Sequence, residues 1–180
     1  MPAILDQEVR VLASISESLK GEYINPAEDI WAGSPFAWIL TRPSRQRGKI
    51  GEQLIAGWCA ARDLNVLRST NSDADRIIEG KRVEIKLSTL WANGHYKFQQ
   101  IRDQEYDYLL CIGISPFDAH AWIMKKSEMP MELMPHQHGG SSGQDTRWMT
   151  VRPGKIHPRL NAFGGTLAQV LEVLKGFRRI

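Results

Sequence analysis

The spacing of hydrophobic and polar positions changes several times along the chain, and each spacing predicts a type of element. Between residues 48 and 62, Ile50, Leu54, Ile55 and Trp58 recur at the spacing of one helix face, which predicts a helix. Short apolar runs bounded by turn residues predict strands instead. Three such runs lie at 66–68, 108–114 and 119–124.

The stretch from 71 to 89 has the pattern of a β-hairpin. Two short β runs are joined by a turn at Glu79-Gly80-Lys81. Side chains alternate between the two faces of a strand, so Glu84 and Lys86 share one face, opposite the face of Val83, Ile85 and Leu87. Asp75 directly precedes the first run, and the hairpin is expected to bring it close to the polar face.

The remaining segments complete an alternation of helices and strands. The polar stretch 97–106 is interpreted as a short helix, and the alternation that starts at Arg147 as a strand. Apolar residues at helical spacing in 5–19 and 167–174 predict amphipathic helices that form core or dimer faces. This order predicts an α/β fold with a central mixed β-sheet flanked by helices.

The polar face of the hairpin carries residue types that suit metal-assisted chemistry. Two neighbouring carboxylates repel each other unless a cation lies between them. Asp75 and Glu84 are therefore a candidate pair of Mg²⁺ ligands, and the main-chain carbonyl of Ile85 is a candidate third ligand. A lysine at position 86 can orient or deprotonate a water molecule, or stabilise charge that develops on a phosphate. The chemistry indicated is hydrolysis of a phosphodiester.

An Asp, a spacer and then Glu-x-Lys on the second strand of a hairpin resembles the PD-(D/E)xK nuclease superfamily, which includes many type II restriction endonucleases. The matching residues are Asp75, Glu84, Ile85 and Lys86, and Ala74 stands where the motif has proline. Asp73 is an alternative for the first acidic position. Asp75 is preferred because it directly adjoins the strand predicted at 76–78.

The resemblance covers about residues 36–128 and implies a restriction endonuclease-like core there. It implies that Glu52 is an outer metal ligand, although a glutamate that stabilises the helix dipole is an equal alternative. It also implies a glutamine near the scissile phosphate, either Gln99 or Gln100, against the alternative of an exposed helical glutamine. The implied cofactor is Mg²⁺, with Mn²⁺ as a substitute. The catalytic set is then Asp75, Glu84, Lys86, Glu52 and Gln100.

Length and composition indicate one domain over 1–180, of which 42% is hydrophobic. The segment 129–180 is then an extension that serves DNA contact or dimerisation. No apolar run reaches the roughly 20 residues that cross a bilayer. Cys59 and Cys111 lie on predicted apolar faces, which favours free core thiols and a reducing cytoplasm.

The charge is unevenly distributed. The first 30 residues hold two basic and six acidic side chains, whereas residues 31–180 hold 21 basic and 14 acidic ones. A basic surface favours a polyanionic partner. The segment 88–97 is expected beside the scissile phosphate, with simple packing as an alternative for Trp91. The candidate DNA contacts are Arg45 and Arg47 just before the helix, Ser88, Asn93, His95 and Tyr96 after the hairpin, and Arg147 and Arg152.

These expectations combine into a Mg²⁺-dependent DNA endonuclease, with type II restriction of double-stranded DNA as the leading hypothesis. Cutting both strands needs two active sites, so a homodimer is expected, as is a cognate DNA methyltransferase in the same system. A structure-specific repair, recombination or phage nuclease of the same superfamily is the first alternative. A non-catalytic DNA-binding protein on the same fold is the second.

Overall fold

The computed structural model of the chain describes residues 11, 12, 15, 30–70, 74–137 and 145–179. The helix predicted over 5–19 therefore lies almost wholly outside the described residues. The same holds for Asp73, the alternative first acid, and for most of the Gly/Ser-rich stretch between 136 and 146.

Helices and strands alternate from residue 37 onward. The helices there are α1 (Ala37–Leu40), α2 (Ser44–Ala60), α3 (Pro158–Asn161) and α4 (Leu167–Gly176). The strands are β1 (Val66–Arg68), β2 (Arg76–Ile78), β3 (Lys81–Thr89), β4 (Tyr96–Ile101), β5 (Tyr108–Ile114), β6 (Ala119–Lys125), β7 (His136–Gln137) and β8 (Thr146–Val151). Short 3-10 turns lie at Lys126–Glu128, Met131–Leu133 and Phe177–Arg179.

The main sheet has five strands in the order β1-β2-β3-β5-β6. Strand β3 runs parallel to β5, and the other neighbours are antiparallel, so the sheet is mixed. The predicted α/β class with a mixed central sheet is thus confirmed, as are the strands predicted at 66–68, 108–114 and 119–124.

The predicted hairpin is present as β2 and β3, which pair antiparallel with Ile78 opposite Lys81. The two residues between them, Glu79 and Gly80, both have positive φ, of 46° and 80°. Positive φ at both central residues is the conformation that matches the twist of paired strands. Glu79 is held in it by an N–H···O bond from Asn65 to its carboxylate, at 2.7 Å.

The helix predicted over 97–106 is wrong: residues 96–101 form β4, which pairs with β8 in a second sheet of order β4-β8-β7. Tyr96, Phe98 and Ile101 all point into the core. Strict alternation would give Tyr96, Phe98 and residue 100. The register shifts between Phe98 and Ile101, and Gln100 has a φ of 56°, so one inserted residue breaks the alternation.

The position of α2 also differs from the prediction. The helix begins at Ser44 directly after Pro43, four residues before the predicted start at Gly48. Proline fixes its own φ and readily precedes the first helical turn. Arg45 and Arg47 therefore lie on the helix itself rather than in a segment that precedes it.

The main sheet is covered on both faces. On one face α2 and α4 pack against strand residues such as Val83, Ile85 and Ile112. The second sheet covers the opposite face, where Tyr96, Phe98 and Trp122 form an aromatic cluster with ring centroids 6.0–6.2 Å apart. Both sides of β3 are thus enclosed.

The contact between the two sheets gives a stability prediction. A Cβ atom on Gly113 of β5 would lie 2.6 Å from the Tyr96 ring. We expect Gly113→Ala to lower the free energy of unfolding by about 1–3 kcal/mol, because the buried ring must shift. Gly57 on exposed α2 has nothing within 4 Å of its added Cβ, so Gly57→Ala is the control and should stabilise by about 0.5–1 kcal/mol. Urea unfolding measures both, and equal values would contradict the close packing.

Cys59 and Cys111 are both buried and free, as the sequence predicts. No helix among the described ranges is long and apolar enough to cross a membrane.

Candidate active site

The hairpin brings Asp75 to the predicted polar face. The Asp75 N–H donates to the Val83 carbonyl at 3.1 Å, which extends the ladder one residue beyond β2. The Ile85 N–H donates to Asp75 Oδ2 at 2.7 Å. Because β2 begins only at Arg76, the side chain of Asp75 takes the place of a further strand residue opposite Ile85. Both N–H and C=O of an extended residue point to the same edge, so the Ile85 carbonyl faces the side of β3 on which Asp75 lies.

Glu84 and Lys86 lie on the face of β3 opposite Val83 and Ile85. Only 6% of Glu84 is exposed, and its Oε1 lies 2.6 Å from Lys86 Nζ. A buried carboxylate is stable only when it is paired. When no metal ion is bound, Lys86 therefore compensates the negative charge of Glu84.

Asp75 experiences a different electrostatic environment. Burial, followed by the negative charge of Glu84, raises the pKa of Asp75 from 3.8 to about 6, while the hydrogen bond from Ile85 opposes the rise. The charge of Glu52 raises this pKa further, and Lys86 lowers it. The anionic form of Asp75 is thus under-compensated, meaning that neighbouring positive charge and hydrogen bonds do not balance its negative charge. A bound cation would supply the missing positive charge.

Glu52 on α2 is linked to Asp75 through Arg76. Its Oε2 lies 2.9 Å from Lys49 Nζ and 3.2 Å from Nη1 of the buried Arg76. Arg76 Nη1 also donates to the main-chain carbonyl of Asp75 at 2.7 Å. The alternative role of Glu52 in the helix dipole is wrong, because the first turn of α2 contains no acidic residue. Arg76 ties the helix and the hairpin together.

Glu52 and Asp75 line a cleft of about 1050 Å³ that lies between the start of α2, the edge of β3 and strand β4. Five cationic side chains line it against two acidic ones, Glu52 and Asp75. A surplus of positive charge in a concave surface raises the local concentration of anions. The lining residues are Ser44, Arg45, Gln46, Arg47, Gly48, Lys49, Glu52, Asp75, Ile85, Lys86, Leu87, Ser88, Thr89, Trp91, Lys97, Gln99 and Gln100.

The residues fit a metal ion in part. Among residues 30–70, 74–137 and 145–179, no three His, Cys, Asp or Glu side chains converge as a metal cluster. Asp75 and Glu84 supply two carboxylates, and the Ile85 carbonyl adds an oxygen on the edge facing Asp75. Mg²⁺ commonly takes one or two protein carboxylates and completes its shell with water and substrate phosphate. The donor set therefore suits Mg²⁺ with a substrate bound, rather than a closed structural site.

Several predicted DNA contacts do line the cleft. Arg45 and Arg47 do so from the first turns of α2, and both Gln99 and Gln100 do so from β4 rather than from the predicted helix. Both glutamines are exposed. Ser88 also lines the cleft, but it is buried and its Oγ accepts from the Lys97 N–H at 2.9 Å. This bond holds β4 beside β3.

Other predicted contacts lie elsewhere. Tyr96 is wrong as a DNA contact because it is fully buried, with its hydroxyl 3.0 Å from His120 Nδ1. Asn93 and His95 bond to each other within the turn between β3 and β4, and neither is among the lining residues. Arg147 donates to the Met134 carbonyl at 2.6 Å. Exposed Arg152, like Arg147, does not line the cleft.

Lys97, which lines the cleft, and the buried Arg76, which contacts Glu52, were not assigned to the site from the sequence. Arg76 was interpreted only as a strand residue, and Lys97 was assigned to a helix. Simple packing was the alternative for Trp91, but 45% of it is exposed and it lines the cleft. Assigning 96–98 as a strand would have revealed Lys97, because buried Tyr96 and Phe98 place the residue between them on the outer face.

Comparisons with known proteins add little to this geometry. No protein-family model matches the chain, and no curated protein matches it. One similar solved structure is that of I-Ssp6803I, described as a bacterial homing endonuclease, at 13% sequence identity and a TM-score of 0.46. The match covers 76% of this chain and 97% of that one. At this level the likeness carries no inference about activity, so the case for a function rests on the residues of the cleft.

Proposed function

We propose that this protein is a Mg²⁺-dependent DNA endonuclease whose active site is formed by Asp75, Glu84 and Lys86. The observation that carries the proposal is the arrangement of this trio beside a cationic cleft, which Asp75 and Lys86 line while Glu84 lies buried against Lys86. An under-compensated aspartate faces a carboxylate–lysine pair, and the open space beside them is lined by arginines and lysines. A structural ion pair alone requires neither the second acid nor the cleft.

The roles follow from position. Asp75, Glu84 and the Ile85 carbonyl would hold Mg²⁺, which supplies Lewis-acid polarisation of the phosphate and a lowered pKa for attacking water. Lys86, an ammonium 2.6 Å from Glu84, would orient that water or neutralise charge on the phosphorus centre. Glu52 acts as an outer ligand, kept near Asp75 by Arg76.

The cationic rim would bind the substrate backbone. Arg45, Arg47 and Lys49 follow one another at every second position in the early turns of α2, and all three line the cleft. Gln99 and Gln100 line it from β4 and are placed to donate to phosphate oxygens. Backbone contacts of this kind position DNA and do not read its sequence.

Substrate binding should depend on salt through these arginines. Each phosphate contact that is lost reduces the slope of log K against log salt by about 0.9 for duplex DNA. We expect the double variant Arg45→Ala/Arg47→Ala to bind more weakly and to reduce the slope by about 1.8. Fluorescence anisotropy with a labelled duplex over a range of NaCl, without divalent ions, measures this. Arg62→Ala, an exposed arginine outside the cleft, is the control, and an unchanged slope in the double variant would count against the rim.

Type II restriction is the more specific form of the proposal. It includes a homodimer, because one chain offers one trio, and a partner methyltransferase that protects host DNA. Digestion of a long duplex with Mg²⁺ tests it: discrete fragments support restriction, and intact DNA contradicts it.

A structure-specific nuclease is the second candidate, and Trp91 favours it. A half-exposed indole in a phosphate-binding cleft suits contact with an unpaired base. Selective cutting of flaps or junctions would support this candidate. Binding of DNA with no cutting of any form, in Mg²⁺ or Mn²⁺, would instead support a non-catalytic DNA-binding protein.

A further inference from the structure

Trp91 lines the cleft from a turn that holds its main chain in place. It follows β3 and opens the turn to β4. Its N–H donates to the His95 carbonyl at 2.9 Å, and its own carbonyl accepts from the Gly94 N–H at 2.9 Å. These two bonds fix the main chain of Trp91, yet the indole remains 45% exposed. A large apolar side chain fixed in an open cleft is an available contact surface.

Lys97 lies between two tryptophans beside this turn. Its Nζ is 5.6 Å from the centroid of the Trp91 ring and 4.5 Å from that of Trp148, distances at which a cation is attracted to an aromatic face. The Lys97 N–H donates to Ser88 Oγ on β3. Lys97 and Trp91 both line the cleft, so a positive charge and an indole are presented together.

A cationic groove with an aromatic side chain is the arrangement by which proteins bind unpaired nucleic acid strands. The groove follows the phosphates, and the ring stacks on a base. In an intact duplex the faces of the bases are covered by their neighbours, so only an unpaired or extruded base can stack on an indole. Plain packing would cover the ring of Trp91, whereas 45% of this residue is exposed.

We propose that Trp91 is a stacking site for an unpaired nucleobase and that Lys97 contacts an adjacent phosphate. This inference rests on the proposed function and specifies its substrate class as DNA with an unpaired base near the cut. Trp91 lies five residues beyond Lys86, and β3 ends at Thr89, so the two are separated by at most about 16 Å of extended chain. That length corresponds to about five nucleotides of a stacked strand and fewer of an unstacked one.

The first test compares affinities for a labelled single strand in buffer without divalent ions, with the DNA checked for integrity afterwards. Stacking on an aromatic ring contributes enough that Trp91→Ala should weaken binding by about 5- to 150-fold. Trp91→Phe retains a smaller ring and should recover part of the loss. Trp38→Ala is the matched control, because Trp38 is 51% exposed and lies outside the cleft.

The second test locates the base. An abasic site is moved along the strand one position at a time, and binding of the wild type and of Trp91→Ala is measured for each strand. At one position the abasic site should weaken binding of the wild type and have no further effect on the variant, because the same contact is already lost. At every other position the two changes should add.

Two results would overturn the inference: equal affinity of Trp91→Ala and wild type, or additivity at every position. If the wild type cuts DNA but no abasic position couples to Trp91→Ala, the nuclease proposal stands and only the stacking site is rejected. If one abasic position couples to Trp91→Ala but the protein cuts no DNA in Mg²⁺ or Mn²⁺, the nuclease proposal is rejected and the stacking site stands.

Discussion

Replacing Lys86 by alanine should slow DNA cleavage by about 10²–10³-fold, the range that one positioned donor to developing negative charge contributes. The ammonium lies 2.6 Å from Glu84 Oε1 and lines the cleft. Its loss removes the only lysine of the proposed catalytic trio. The measurement is single-turnover cleavage of plasmid DNA with Mg²⁺, with enzyme in excess so that binding does not limit the rate.

Lys81→Ala is the matched control for this experiment. Lys81 lies on the same strand at the turn end of β3 and is not among the residues that line the cleft. Because Lys86→Ala also leaves Glu84 without its ion-pair partner, thermal unfolding of the variant must show that it remains folded at the assay temperature. A folded Lys86→Ala variant that cuts at the wild-type rate would remove Lys86 from the mechanism.

Replacing Asp75 by asparagine should abolish cleavage and yet stabilise the metal-free protein. Asparagine can still accept the Ile85 N–H but carries no charge to be repelled by Glu84. The pKa of Asp75 is about 6 instead of 3.8, and about 1.4 kcal/mol corresponds to each pKa unit. Partial exposure of the carboxylate reduces this figure, so we expect about 1–2 kcal/mol of added stability at pH 8.

The pH dependence has a definite sign. Between about pH 4 and pH 6 the folded protein binds a proton at Asp75 more strongly than the unfolded chain does. The contribution of this group to the free energy of unfolding therefore falls as the pH rises through that window, and it remains low above it. The difference between Asp75→Asn and wild type should be small near pH 4 and reach its maximum above pH 6.

Urea unfolding at several pH values, with and without Mg²⁺, measures this difference. Mg²⁺ should stabilise the wild type at pH 8, since a ligand that binds only the folded state raises its stability, and it should stabilise Asp75→Asn much less. Asp118→Asn, an exposed carboxylate outside the cleft, is the control. A pH-independent difference between the two proteins would show that Asp75 is not under-compensated.

The hairpin could be predicted because its information is local. The two strands, the turn and the acid before them occupy one short stretch, and alternation alone assigns Glu84 and Lys86 to one face. The mixed main sheet followed from apolar runs long enough to identify as strands. Predicting that Asp75 lies beside Ile85 required only the pairing register of the hairpin.

The second sheet could not be predicted in the same way. Strand β4 pairs with β8, about 50 residues further along the chain, and pairing across that distance leaves no local pattern. The inserted residue at Gln100 also disguised the alternation of β4. Lys97 was consequently assigned to a helix, and Tyr96 was taken for a surface residue although it is part of the core.

Helix α2 packs closely on β3 at Gly51, where only the Leu87 side chain separates them, since an added Cβ on Gly51 would lie 2.6 Å from the Cβ of Leu87. Helix and strand therefore keep a short separation, and the arginines of the helix keep their spacing from the acids of the hairpin. If the cleft binds and cuts DNA as proposed, surface substitutions on α2 would alter which nucleic acid is bound without moving the catalytic trio. The fold would then allow substrate preference to diverge while the proposed reaction centre stays unchanged.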